Sequence, residues 1–270
     1  MQADEQHNKI EVRVHGLQRS GNHGIINWIA MQSRIDVLVL NDAKPFTNPF
    51  HTMQECIEYR KGDLFSAINA WDDESRVKAA ARAPAKRDVL MYSYEDRELM
   101  ERDSRLSQDW LGVSEIFVDV IVVRDPLNFF ASRLQMWNTL TGLKDKHKLV
   151  ELWKSYAREA LGYTTLLGSG AKIVANFTNW AQDPGYRERL AGELHLDFSD
   201  RGFDQMVRVG PGSSFDGFSF ENNASKMPVN DRWKLLISNQ EYRSILDDGE
   251  TKELSDELFG PLEGWQQVLS

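Results

Sequence analysis

A single cysteine, Cys56, stands in the 270 residues. No internal disulfide framework can form, and a reducing compartment is expected. Cys56 reads as a plain packing or surface residue rather than a reactive thiol. No apolar run approaches the roughly 20 residues that cross a bilayer, and the stretch from Met1 to Lys9 lacks the apolar core of a signal peptide, so a cytoplasmic chain without a membrane partner is expected. An excess of positive charge is also missing. The 32 basic residues against 41 acidic ones give a net charge of −9, which disfavours a nucleic-acid or anionic-membrane surface. Any site for an anion must therefore be local. The six histidines show no metal-ligand spacing.

The chain is organised around Val14 to Trp28. A β-branched run, Ile10, Val12 and Val14, stops at Gly16, and an apolar helical pattern begins beyond Gly21 with Ile25, Ile26 and Ile29. The pattern is strand, tight loop, helix. Gly16 and Gly21 have the spacing of a phosphate-binding loop, where backbone N–H groups wrap an anion at the positive end of the next helix. A nucleoside-triphosphate loop would continue with Lys and Ser or Thr. Here Asn22 and His23 follow, so the hydroxyl that would hold Mg²⁺ is absent. The cation is Arg19, inside the loop, which suits an anion clamped without a divalent ion. The plain alternative is an ordinary strand-to-helix turn.

A second segment adds to the first. Phe117 to Val123 is the strongest strand pattern, and it ends in Arg124-Asp125-Pro126. Asp125 is a good N-cap and Pro126 a good first helical residue. Leu127, Phe130, Ala131 and Leu134 follow at helical core spacing, and Ser132 lies about 140° around the axis from Leu127, off the buried stripe. Arg124 and Ser132 could converge on one anion. Taken alone, the pair reads first as a surface Arg and a solvated Ser.

Together the two segments resemble the sulfotransferases that use 3′-phosphoadenosine 5′-phosphosulfate (PAPS). That family carries Gly-x-x-Arg/Lys-Ser-Gly-Thr-Thr after its first strand, and later a strand ending in Arg-Asp-Pro with a Ser eight residues beyond the Arg. The first element is matched by Gly16 to His23, with Asn22-His23 in place of the Thr pair, and the second by Arg124-Asp125-Pro126 and Ser132. The resemblance implies that Gln18, Arg19, Ser20, Gly21, Asn22, His23 and Gly24 bind the 5′-phosphosulfate, and that Arg124 and Ser132 bind the 3′-phosphate. It also implies a loop at 202–231 closing over the nucleotide, with Ser213, Ser214, Lys226 and Arg232 as phosphate contacts. The family's Arg-Lys-Gly element is absent there.

The fold expected is a single three-layer α/β domain over 1–270, with a mostly parallel sheet and the ligand at the strand C-terminal ends. Strands are expected at Ile35–Leu40, Val89–Tyr92 and Lys172–Phe177, with a polar helix after Asp96. An amphipathic helix is expected from Leu149 toward Leu167, with closing helices at Trp233–Leu246 and Leu254–Phe259. The stretch 41–86 has no dominant period and reads as loops and short helices inserted over an acceptor site.

The function the resemblance implies is in-line transfer of a sulfuryl group from PAPS to a hydroxyl or amine of a small-molecule acceptor, releasing 3′-phosphoadenosine 5′-phosphate (PAP) and needing no metal. Arg19 would hold the charge that grows on the leaving phosphate. Glu95 would take the acceptor's proton, with His23, His51 and Glu55 as lesser candidates; the plain alternative for Glu95 is a helix-start carboxylate. Two competing readings are a P-loop small-molecule kinase, disfavoured by the missing Lys-Ser/Thr pair, and a non-catalytic nucleotide-binding relative. A homodimer is left open.

Overall fold

The computed structural model describes residues 7–32, 34–70, 72–80, 87–103, 109–140, 146–206, 212–213 and 215–270. Among them seven strands form one sheet: β1 (His7–Gly16), β2 (Val37–Asn41), β3 (Glu55–Arg60), β4 (Asp63–Asn69), β5 (Arg87–Glu95), β6 (Val113–Val123) and β7 (Lys172–Asn176). Their order is β4-β3-β2-β5-β1-β6-β7. Strands β2, β5, β1, β6 and β7 run parallel, and β3 and β4 run antiparallel at one side. Gly16, the last residue of central β1, lies opposite Glu95 on one neighbour and Val122 on the other. The expected ligand edge is therefore assembled from the ends of β1, β2, β5 and β6.

The ten helices described are α1 (Asn22–Ala30), α2 (Pro49–Thr52), α3 (Asp73–Ala80), α4 (Pro126–Leu140), α5 (Lys146–Ala160), α6 (Phe177–Gln182), α7 (Pro184–Glu193), α8 (Gln240–Leu246), α9 (Gly249–Phe259) and α10 (Gly264–Leu269). One sheet face packs Ile10, Val12 and Val14 under α1, α6 and α7. The other packs Ile121 and Val123 under α4, α5, α8, α9 and α10. This is the three-layer α/β arrangement expected. Asp125 caps α4 as expected, accepting from the Asn128 N–H at 2.9 Å, and Asp183, just before Pro184, caps α7 in the same way by accepting from the Gly185 N–H at 2.8 Å.

The stretch 41–86 corrects the reading of loops and short helices, because β3 and β4 form a hairpin that widens the sheet. Its turn is Lys61-Gly62, both at positive φ (52° and 79°), as two-residue hairpin turns require. Trp71 and residues 81–86 lie outside the described residues. The polar helix expected after Asp96 is not formed over 97–103. Leu167 is buried but lies beyond α5, which ends at Ala160.

Strand β1 alternates apolar residues with Glu11, Arg13 and His15, although both its faces are covered. Those three side chains are buried and each has a partner on a neighbouring element; among the described residues, only His15 Nδ1 of their buried side-chain polar atoms is left without one. Arg13 donates to Asp119 at 2.6 and 3.0 Å, and His15 Nε2 lies 3.0 Å from the same carboxylate. Glu11 accepts from Tyr92, Ser114 and Arg102 at 2.7 to 2.9 Å. Buried charge is tolerated here because each group has a hydrogen-bonded partner.

Candidate active site

The site starts at the loop between β1 and α1. Gly16 and Gly21 are needed for packing as much as for an anion. A Cβ on Gly16 would lie 1.9 Å from Asn22 Oδ1, and one on Gly21, whose φ is +98°, would lie 2.0 Å from the Phe177 ring. Asn22 fills the space that Gly16 leaves, donating to Leu17 O and to Glu95 Oε1, both at 3.1 Å. Gly21 caps α1 without a side-chain bond, and the first turn holds no acidic residue. The N–H groups of that turn have no partner within the helix, and the helix dipole adds to their attraction for an anion.

Three guanidinium groups gather beside this loop. Arg124 Nη1 donates to the Arg19 carbonyl at 2.9 Å and to Ser132 Oγ at 3.3 Å, while Arg232 Nη1 reaches the same Oγ at 3.4 Å. Arg19 donates to Gly212 O at 2.9 Å. Arg232 is steadied by Ser213 and Asp216 at 2.9 and 3.0 Å. Ser132 is 0% exposed, so the helix face expected to meet solvent is instead roofed by Arg124 and Arg232. Among the described residues the Nε atoms of Arg19, Arg124 and Arg232 are buried without a hydrogen-bond partner. Burial, then the nearby Arg232 charge, push Arg124 down to about 9, against the pull of Asp125. Arg19 is lowered by the same two causes in the same order. Asp216 is paired with Arg232, yet three buried like charges with unused donors still attract a further anion, and a phosphate offers suitable acceptors.

A polar cluster occupies the other side of the loop, at the ends of β2, β3 and β5. His23 Nε2 lies 3.6 Å from Glu95 Oε1 and 3.1 Å from Asn41 Nδ2, which also donates to Glu55 at 2.9 Å. The His23 side chain is 43% exposed and that of Glu95 10%. Burial pushes Asp42 up to about 6, and the Glu95 charge adds to it. Burial also raises Glu55, against the opposing pull of His23 and Asn41. A shallow recess beside this cluster, with a cavity volume of about 10 Å³, is lined by His23, Asn27, Asn41 and Glu55 over Ile26, Val39 and Ile57. A second recess, with a cavity volume of about 30 Å³, lies between the Phe46–Pro49 loop, Tyr92, Tyr94 and Trp110, and neither His23 nor Glu95 lines it. Among the described residues no group of three or more His, Cys, Asp or Glu is placed to hold a metal ion, and no helix is long and apolar enough to cross a membrane.

No protein-family model and no curated protein matches the chain at the level of sequence. Solved structures do match. The sulfotransferase domain from the Synechococcus PCC 7002 olefin synthase superposes with a TM-score of 0.55 at 12% identity, over 96% of this chain and 98% of that one. The chain has a sulfotransferase fold. The sulfotransferase domain from the curacin biosynthetic pathway gives a TM-score of 0.51 at 14% identity, over 93% and 98% of the two chains. Mouse sulfotransferase SULT7A1 complexed with PAP gives 0.43 at 9% identity, over 95% and 90%.

Within this sulfotransferase fold, the residues named from sequence fall into two groups around the loop. Arg19, Arg124, Ser132 and Arg232 meet on one side, and Asn22, His23 and Glu95 on the other. Gln18 lies between, its N–H donating to Asp96 at 2.9 Å. Ser20 is buried in the turn, with its N–H on Leu17 O at 3.0 Å. Gly24 packs against Trp180. Lys226 sits apart, exposed in a short 3₁₀ turn where its charge acts on Asp204. Ser214 lies outside the described residues. The sequence reading missed Arg133, which bonds Asp96 at 2.8 Å and Gln18 Oε1 at 3.3 Å. It also missed Asn41 and Ser93. Arg133 is adjacent to Ser132, a usable signal; Asn41 and Ser93 gave none, because their roles depend on strand order.

Proposed function

We propose that the chain transfers a sulfuryl group from PAPS to a hydroxyl or amine of a small-molecule acceptor, within a single domain. The observation that carries this reading is the trio of buried guanidiniums, Arg19, Arg124 and Arg232, with unused Nε donors around Ser132 and beside the uncapped N-terminus of α1. Two anionic centres fit this arrangement. Arg124, Ser132 and Arg232 would hold the 3′-phosphate. Arg19 and the amides from Ser20 to Gly24 would hold the 5′-phosphosulfate.

PAPS supplies an activated S–O bond whose cleavage releases PAP. This chain's residues would do the rest. Arg19 stabilises the negative charge growing on the leaving phosphate oxygen, already in place before reaction begins. The acceptor docks over the shallow recess beside His23, and the Glu95–His23 pair takes its proton. Asn22 ties the two halves together by donating to Glu95 from the loop.

The test is calorimetric titration with PAP, 5′-AMP and ATP in EDTA, followed by an assay for PAP release from PAPS over a panel of small alcohols and amines. Tight metal-free binding that requires the 3′-phosphate, with acceptor-dependent release of PAP, supports the reading. Equal affinity for PAP and 5′-AMP removes it, and a Mg²⁺-dependent preference for ATP replaces it with a kinase. Tight PAP binding without turnover on any acceptor would leave a nucleotide-binding protein.

A further inference from the structure

Asn128 lies in the first turn of α4, one turn before Ser132, and is 4% exposed. All four hydrogen-bonding positions of its amide are in use. Nδ2 donates to Asp125 Oδ1 and to the Asn230 carbonyl, both at 3.0 Å. Oδ1 accepts from the backbone N–H of Arg232 at 2.9 Å and of Trp233 at 3.3 Å. A carboxylate and a carbonyl can only accept, and a backbone N–H can only donate, so the amide has one orientation. Asp125 is held in turn, accepting from the Asn128 N–H at 2.9 Å and from Thr178 Oγ1 at 3.1 Å.

Arg232 opens a short 3₁₀ helix, Arg232–Leu236, whose own N-cap residue, Asp231, makes no side-chain bond to it. The N–H groups at such a start have no partner within the helix. Asn128 supplies that cap from 104 residues away in the chain. The bonds of the Arg232 side chain to Ser213 and Asp216 join it to its own segment and cannot fix it against α4. Its guanidinium meets Ser132 Oγ at 3.4 Å, a long contact, so the tight tie to α4 is the one at its backbone. Arg124 adds a bond to the Val229 carbonyl from the end of β6. Resting on the reading that Arg124, Ser132 and Arg232 hold the 3′-phosphate of PAPS, we infer that Asn128 is a positioning residue for that site. Its amide caps the Arg232–Leu236 helix from α4 and so sets where the Arg232 guanidinium meets the phosphate. With every bonding position taken, Asn128 has none left for the nucleotide. It acts through Arg232, and it tunes the preference for a nucleotide that carries the 3′-phosphate over one that lacks it.

The test is calorimetric titration of the full chain with PAP and with 5′-AMP in EDTA. The proteins are the wild type, Asn128→Leu, the smaller change Asn128→Ser, Arg232→Ala, and Asn128→Ser combined with Arg232→Ala; circular dichroism identifies those that fold. Asn128→Ser, and Asn128→Leu where it folds, should weaken PAP by about 5- to 30-fold and 5′-AMP by less than about twofold. In the Arg232→Ala background the same Asn128→Ser change should weaken PAP by less than about twofold, because the group it positions is gone. A folded Asn128→Ser with an unchanged ratio of the two affinities overturns the inference, as does an equal loss for both nucleotides, which is what a purely structural role gives. A full further loss in the Arg232→Ala background also overturns it, since Asn128 would then act through another group. Equal binding of PAP and 5′-AMP by the wild type instead overturns the transfer reading. Amide hydrogen exchange in the wild type needs neither nucleotide nor variant: slow exchange at Arg232 and Trp233 supports the cap, and exchange as fast as in an open loop overturns it.

Discussion

The Phe177 ring fills the space that a Cβ on Gly21 would need, 2.0 Å from that point, and the same ring lies 5.0 Å below the Arg124 guanidinium. One aromatic side chain thus sets the path of the loop and supports the cation beside it. Gly21→Ala is expected to destabilise the chain for two reasons, a positive φ and an overfilled contact, each worth about 1–3 kcal/mol. In Phe177→Ala the contact is gone and only the backbone cost remains. The two changes together should therefore cost less than their sum, measured as non-additivity in urea unfolding. Strict additivity would mean that ring and loop are not coupled.

Arg124 is expected to decide the preference for the 3′-phosphate. A charge-assisted hydrogen bond contributes about 1.5–3 kcal/mol, so Arg124→Ala should weaken PAP by roughly 10- to 150-fold and leave 5′-AMP nearly unchanged. Arg124→Lys should recover only part of this. A lysine ammonium cannot reproduce the fork in which Nη1 reaches the Arg19 carbonyl and the Ser132 hydroxyl while Nη2 donates to the Val229 carbonyl. Calorimetry with both nucleotides checks it, and equal losses for the two would place the 3′-phosphate elsewhere.

Much of the framework was legible because it is local. Ile10 to Gly16, Phe117 to Val123 and the Asp125-Pro126 and Asp183-Pro184 caps each carry their own signal within a few residues. The hairpin at Glu55–Asn69 was not legible, since a partly charged pair at the side of a sheet shows neither a clean alternation nor an apolar run. Lys61-Gly62 was its one local sign. Glu11, Arg13 and His15 fit a central strand covered on both faces only because Asp119, Tyr92 and Arg102 stand around them. The pairing of Arg232 with Ser132, 100 residues apart, and of Asn41 with His23 across the sheet edge, are properties of topology. Motif spacing gave Arg124 and Ser132, and only the fold supplied what roofs them.

Arg19 holds an unusual backbone, φ +75°, which aims its side chain across the loop to Gly212. Removing its charge should cost more in turnover than in binding, because the charge it meets grows during the reaction. Arg19→Ala is expected to lower kcat by about 10²- to 10³-fold, with a much smaller change in PAP affinity. Near-normal turnover with intact PAP binding would remove Arg19 from the chemistry. A loss confined to nucleotide affinity would make it a binding residue only.

The buried group of Arg13, His15 and Asp119 sets the expected response to acid. Burial keeps His15 below its usual range; the bond to Asp119 opposes that effect and the Arg13 charge adds to it. The unfolded chain takes a proton on His15 near pH 6.5, about its free value, while the folded chain takes it only at lower pH. Stability is therefore whole above about pH 6.5 and declines below it. For Asp119 burial acts upward, but bonds from His15 and Arg13 outweigh it and leave the carboxyl below the usual range. Its contribution is present above the unfolded value of about 3.9 and is lost as the pH falls further. Thermal melts should show both stages, and His15→Gln should flatten the first and weaken the second in part, since the His15 bond and the Arg13 pair together hold the Asp119 carboxyl low. Asp119→Asn should cost about 3–5 kcal/mol at pH 7, because it leaves the Arg13 guanidinium buried without its counter-charge. An unchanged melting temperature in Asp119→Asn at that pH would show that Arg13 is neutralised by some other group.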